Sequence, residues 1–225
     1  VVIVKGRERY WRCRNLAVGT DQFRLDPQDY AAAEDAGEIV AVVHSHPDED
    51  ARPSDADRVA CEASGLPWLI VSVRPTVGGE LDASQIVRFE PEGFEAPLVG
   101  RPFVHGVLDC YSLVRDWYRR ELGIELKDFA RSDGWWDRGE DLYMRHFAEA
   151  GMVEVTGELQ RGDVILMQIR SPENANHAAV YLGDGAILHH LHGRLSSRDS
   201  YVPWQHLTRG VLRHGYAGAA AAPVV

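Results

Sequence analysis

The chain is poor in cysteine, poor in lysine and without a long apolar run. Its 225 residues include three cysteines, Cys13, Cys61 and Cys110. They are too few for a disulfide framework, and their spacing is not that of a structural zinc site. No apolar stretch approaches the roughly 18 residues that a membrane span needs. No basic region and apolar core precede a small-residue cleavage site, so no signal peptide is expected. Lysine occurs twice against 22 arginines, which reads as a genomic bias. An excess of positive charge is missing too: the net charge is -10, which argues against sequence-independent nucleic-acid binding. The imbalance is uneven, because residues 1–96 hold 10 Lys/Arg against 18 Asp/Glu and residues 97–225 hold 14 against 16.

What is present is the composition of an ordinary globular chain with room for two small domains. Residues 90–102 carry three prolines and two glycines, the strongest candidate for a boundary. The expected units are 1–96 and 97–225. Val1 to Lys5 reads as a strand entered partway, so the natural chain is expected to begin earlier. A second strand follows over Glu8 to Arg14. Asp26-Pro27 opens a helix that Gly37 ends. Ile39 to Val43 reads as one continuous buried strand leading into His44-Ser45-His46-Pro47. A helix capped by Ser54 and strands over Leu69 to Val73 and Gln85 to Phe89 complete the first unit. The second unit reads as α+β. A helix begins at Cys110 and another covers Asp137 to Glu149. Strands follow over Val164 to Ile169, His177 to Leu182 and Ala186 to His192, with a last one at Val211 to His214. The Ala-rich end, Ala217 to Ala222, is expected to fray.

Asp109 is a good N-cap, which places Cys110 in the first helical turn. A thiol there feels the positive end of the helix dipole, which favours the nucleophilic thiolate. The alternative is that Cys110 is a small buried apolar residue, as Cys13 and Cys61 are expected to be. Two histidines far downstream weigh against that alternative. His177 begins one strand and His189 lies on the next, across the turn Gly183-Asp184-Gly185. In a tight hairpin the two rings become cross-strand neighbours, directly or diagonally. One imidazole can then bond the other and fix its tautomer for proton abstraction from Cys110. Surface histidines of a hairpin are the competing reading.

Upstream, His44 and His46 are two apart on a strand, so their side chains share a face. Asp57 projects from the first turn of the next helix. Two imidazoles and a carboxylate form the protein ligand set of a catalytic zinc site. Solvated loop histidines are the alternative. The run His44-x-His46-Pro47 followed by Ser54-x-x-Asp57 resembles the JAMM (MPN-type) metalloisopeptidase motif. That resemblance implies Zn2+ held by His44, His46 and Asp57, with Ser54 supporting a tetrahedral intermediate. The family's general-base glutamate precedes the first strand. Here it is expected upstream of residue 1, or else the site binds metal without catalysis.

Asp109-Cys110, then Asn176-His177 with Ala178 to Gly183, then His189 resembles the NlpC-like cysteine peptidases. The resemblance implies a papain-like α+β domain that cleaves stem peptides of bacterial peptidoglycan, typically between D-glutamate and diaminopimelate. Cys110 would be the nucleophile, His177 the base and His189 its orienting partner. Many members place a tyrosine shortly before the cysteine to help hold the oxyanion. Phe103 and His105 stand there in this chain, which leaves that role open. A JAMM-type α/β domain followed by an NlpC-like domain is similar to a family of tail-assembly proteins of lambda-like phages. This implies a component of the virion tail tip, made in the host cytoplasm, that meets peptidoglycan and other tail-tip proteins. Two rival readings stand: a structural tail-tip component, and a processing peptidase for other tail proteins.

Overall fold

The structure is a computed structural model that describes residues 1–17, 22–169, 171 and 173–215. The Ala-rich end, Ala217 to Ala222, lies outside the described residues. The chain divides into two compact units, Val1–Ala96 and Pro97–Val225. No helix among the described residues is long and apolar enough to cross a membrane.

In the first unit, β1 (Val2–Val4) is the centre of a three-stranded antiparallel sheet, between β2 (Arg7–Arg9) and β3 (Glu38–Ile39). The expected strand over residues 8–14 ends at Arg9, because β2 is a fully exposed edge with a partner only in short β1. Helix α1 (Pro27–Ala36) starts at the Asp26 cap, whose carboxylate accepts the Gln28 N–H at 2.7 Å. A second sheet joins β4 (Val42–Pro47) parallel to β5 (Trp68–Pro75), with α2 (Asp55–Ser64) as the crossover. β6 (Leu81–Asp82) and β7 (Ile86–Phe89) pair antiparallel with β5. The apolar run expected as one strand is therefore two. Ile39 belongs to the first sheet and Val42 to the second. The chain changes sheet at Val40 and Ala41, where the Val40 N–H bonds Val1 and the Val42 N–H bonds Pro67. The run is apolar from Ile39 to Val43, so hydrophobicity alone does not mark the break. Val42, Cys61 and Trp68 form the core of this unit. Cys61 is buried as expected, but Cys13 is only half-buried.

In the second unit, α3 (Cys110–Leu122) leads to a 3-10 turn at Trp135–Arg138 and the short helix α4 (Leu142–His146). The single helix expected over 137–149 is broken by Gly139, which sits at φ 72°. Helix then restarts at the Asp141 cap, whose carboxylate accepts the Met144 N–H at 3.1 Å. Six antiparallel strands follow: β8 (Met152–Glu154), β9 (Val164–Met167), β10 (His177–Gly183), β11 (Ala186–His189), β12 (Ser197–Ser200) and β13 (Thr208–His214). Their order is β12-β11-β10-β9-β13-β8. A 3-10 segment, Val202–Leu207, precedes β13.

Alternation along β10 gives the sheet two buried faces. Ala178 and Val180 pack with Leu113, Val114, Trp117 and Tyr118 of α3. Ala179 packs on the other side with Ile165, Met167, Ile187 and Tyr201, against which Trp204 lies. The β10–β11 turn uses left-handed backbone at Gly183 (φ 94°), Asp184 (φ 52°) and Gly185 (φ 74°). A bulge between Tyr181 and Gly183 sets the register at Ala179 opposite His189. His177 is thus diagonal to His189, two residues from direct opposition.

Candidate active site and metal centre

β4 carries His44 and His46 on one face, and α2 brings Asp57 to them. The two Nε2 atoms lie 3.1 Å apart. Asp57 Oδ1 is 3.2 Å from His44 Nε2, and Oδ2 is 3.4 Å from His46 Nε2. One ligand atom from each of the three residues lies within 4.8 Å of the others. Around them the supporting contacts are specific. His46 Nδ1 donates to the Asp50 carbonyl at 2.8 Å, which leaves Nε2 as the lone-pair nitrogen of the neutral ring. His44 stacks on Phe23 with centroids 4.3 Å apart, and its Nδ1 is buried without a partner. The ring's polar link therefore runs through Nε2 into the cluster. Two imidazole nitrogens and a carboxylate converging in this way suit a divalent transition metal.

Ser54 closes a capping box with Asp57. Its hydroxyl donates to Asp57 Oδ2 at 2.6 Å and its backbone N–H donates at 2.8 Å. Burial alone would raise the Asp57 carboxyl, but hydrogen bonds from His44 and Ser54 outweigh it and hold the group below the usual carboxylate range. Ser54 thus stands against the candidate ligand Asp57, gripping its carboxylate.

Cys110 takes the first position of α3. Asp109 caps the helix by accepting the Ser112 N–H at 2.9 Å, and Ser112 Oγ accepts the Asp109 N–H at 2.7 Å. Arg131 holds the buried Asp109 carboxylate at 2.8 Å. The Cys110 sulfur lies 3.2 Å from the Tyr143 hydroxyl on α4, and the Ala178 N–H also reaches it. Tyr143 follows Cys110 by 33 residues, in a stretch whose pattern reads only as helix, so nothing in the sequence singles it out. Burial is the largest influence on the thiol and pushes its pKa up; the Asp109 carboxylate adds to the rise. Tyr143, Ala178 and Arg131 oppose without reversing it. The thiolate that the helix dipole alone would favour is therefore not the resting form. Burial, and then Cys110 itself, keep the Tyr143 phenol well above 10.0, so it remains an O–H donor.

His177 and His189 are buried, at 4% and 1% exposure. His177 Nε2 and His189 Nδ1 are 3.2 Å apart. The row continues to a residue the sequence does not single out, since His189 Nε2 is 2.9 Å from Asp199 Oδ2. The Trp204 and His189 rings meet at 76°, with centroids 4.8 Å apart. His177 is the residue before Ala178, whose N–H meets the sulfur. Among the described residues, however, no hydrogen bond joins Cys110 to His177. His177 shares a face of β10 with Ala179, while Cys110, at the start of α3, lies at the end of the strand where the Ala178 N–H meets its sulfur.

Burial first, then repulsion from His189 and His190, pushes His177 down to about 3 from 6.5. Burial and Arg101 push His190 down to about 4. Between pH 6.5 and these values, the unfolded chain binds two protons that the folded chain refuses. Stability therefore falls as pH drops below about 6.5. Unfolding at pH 5 should take up about two protons from these rings. Calorimetric melts at pH 7, 6 and 5 in buffers of different ionisation enthalpy read this directly. A melting temperature that is flat across that range would show that these rings are not buried neutral.

Residues 2–86 match the model of the prokaryotic homologs of the JAB domain, and residues 100–213 match that of the NlpC/P60 family. Tail tip assembly protein K of Escherichia phage N15 is 43% identical over 95% of this chain and 86% of its own length. Tail tip assembly protein K of Escherichia phage lambda is 42% identical, over 84% of this chain and 89% of its own. The probable endopeptidase YafL of Escherichia coli (strain K12) is 32% identical over 40% of this chain and 34% of its own length. With its JAB-type and NlpC/P60 regions in the same chain, this protein belongs to the family of the tail tip assembly proteins K of phages N15 and lambda.

Proposed function

We propose that the protein is a tail-tip cysteine peptidase that opens peptidoglycan stem peptides, at the bond between D-glutamate and diaminopimelate. The observation that carries this reading is the buried row of hydrogen-bonded histidines beside a cysteine in a helix's first turn, within an NlpC/P60 chain. The relatives' tail-tip naming and the endopeptidase naming of YafL agree with it. Cys110 sulfur attacks the scissile carbonyl while His177 takes the thiol proton. The Tyr143 hydroxyl and the Cys110 backbone N–H hold the oxygen that gains charge. Collapse expels the amine, protonated by His177. Water, deprotonated by the same ring, then hydrolyses the thioester and restores the thiol. The contact between His177 and the sulfur is one that substrate must complete, as catalytic hydrogen bonds in free enzymes often tighten only in the complex.

Purified protein incubated with diaminopimelate-type sacculi should release fragments whose new amino terminus is diaminopimelate. Amino-terminal labelling and mass spectrometry read this. The name "assembly protein" carried by the relatives favours a second reading, processing of other tail-tip proteins. Intact sacculi together with cleaved tail-tip proteins would put that reading first.

In the first unit, His44, His46 and Asp57 would hold Zn2+, with Ser54 and the Asp50 carbonyl fixing Asp57 and His46. A bound zinc would supply a Lewis acid and an acidified water. Protein purified without chelator should carry about one zinc per chain by elemental analysis. Replacing His44 and His46 together with Ala should remove it. Full metal content in the double variant would end this assignment.

A further inference from the structure

We propose that Asp199 is a positioning residue of the cysteine site: through His189 it fixes the proton on Nε2 of His177 and so makes Nδ1 the basic atom. A carboxylate only accepts, so Asp199 Oδ2, 2.9 Å from His189 Nε2, requires a proton on that nitrogen. A singly protonated His189 ring then has its lone pair on Nδ1. That atom is 3.2 Å from His177 Nε2, which must therefore be the N–H of its ring. Nδ1 of His177 is left as the lone pair.

The three side chains form a diagonal row on one face of three neighbouring strands. Ala179 stands opposite His189, and Ile187 stands opposite Asp199. His177 and His189 are each displaced two residues from direct opposition to the next member, which is the spacing that keeps a side chain on the same face. The His189 side chain is 1% exposed, whereas that of Asp199 is 37% exposed at the end of the row. The charge thus sits at the wet end while the rings are dry.

The proton balance gives Asp199 its task. As sulfur bonds to the carbonyl carbon, the thiol proton moves to His177 Nδ1. The ring becomes imidazolium, still donating through Nε2 to His189. No proton leaves His189. The Asp199 charge, two hydrogen bonds away, stabilises the new positive charge. Without it His189 is free to turn over its tautomer, and its Nδ1–H would then face the Nε2–H of His177.

The test needs no cell-wall substrate, so failure of the peptidoglycan reading leaves it intact. In the parent protein, nitrogen-15 spectra of ring-labelled histidine, assigned by single substitutions, should show His177 and His189 both protonated on Nε2. A parent His189 protonated on Nδ1 overturns the proposal whether or not any variant folds. Acetyl transfer from p-nitrophenyl acetate to Cys110, releasing p-nitrophenol, follows the same attack and is read by mass spectrometry on the intact chain. Asp199→Asn should slow it by about 10–100-fold, with His189 showing both tautomers and an unchanged melt. Asp199→Glu should restore most of the rate and the single tautomer. An Asn variant that acylates like the parent, or a rate lost in both variants with unaltered ring signals, also overturns it.

Discussion

Cys110→Ser should release no stem-peptide fragments above background, a loss of at least about a thousandfold. The substitution exchanges one atom and leaves the Asp109–Ser112 capping box and the Tyr143 contact in place, so the melt should not move. Chemistry sets the size of the loss. A hydroxyl is far less acidic than a thiol, and an imidazole pushed down to about 3 is too weak a base to remove its proton. The same shifts determine the resting state. With the thiol raised and His177 lowered, both groups are neutral at pH 7. Alkylation of Cys110 by iodoacetamide should therefore be slow at pH 6 and climb only in the alkaline range. Half-buried Cys13 serves as the accessible control, and buried Cys61 as the silent one. Fast labelling of Cys110 at pH 6 would show a preformed thiolate–imidazolium pair instead. His177→Ala should abolish hydrolysis to the same extent as Cys110→Ser, because both belong to one proton transfer.

The place of Cys110 in its helix is legible in the sequence, whereas its charge state is not. Asp109 in front of Cys110 suffices to place the thiol in a first helical turn, and the structure has that cap. Whether the dipole prevails depends on desolvation, and a neighbour such as Asp109 can cap the helix and oppose the thiolate at once. The convergence of His44, His46 and Asp57 was legible because its geometry is local. Two residues along one strand and a capping box four positions wide are set by period and spacing alone. The pairing of His177 with His189 was legible for a similar reason, since a short turn fixes register to within a diagonal step. Asp199 was not. It lies on β12, Ser197–Ser200, an edge strand of polar residues with no apolar alternation to reveal it. Tyr143 was hidden by the opposite fault. The apolar pattern around it reads as one long helix, and only Gly139 and Asp141 record that the chain breaks and restarts there. Ile39 to Val43 misled in the same manner, since an unbroken apolar run carries no mark of a change of sheet.

Tyr143→Phe should reduce turnover by about 10²–10³-fold, the range for removal of one oxyanion donor. It should reduce alkylation of Cys110 by only about fivefold, the worth of one ordinary hydrogen bond near 1 kcal/mol. The split between the two reactions separates a bond to the sulfur from a bond to the oxygen. Hydrolysis and ester acylation build negative charge on a carbonyl oxygen beside the sulfur. Alkylation by iodoacetamide displaces iodide at carbon and builds none. A phenol 3.2 Å from the sulfur can serve either reaction by bonding the sulfur, but only the first by bonding the oxygen. Its pKa, held well above 10.0, keeps the proton in place throughout. The ring itself is fixed by edge contacts with Trp135 at 5.9 Å and Tyr111 at 6.4 Å, and phenylalanine can keep both. The melt should therefore hold while the hydroxyl alone is lost. If acylation and alkylation fall together by about fivefold, Tyr143 acts on the sulfur only, and the oxyanion rests on the Cys110 backbone N–H. If acylation alone falls by a hundredfold or more, a tyrosine from α4 fills the role left open by Phe103 and His105 before the cysteine.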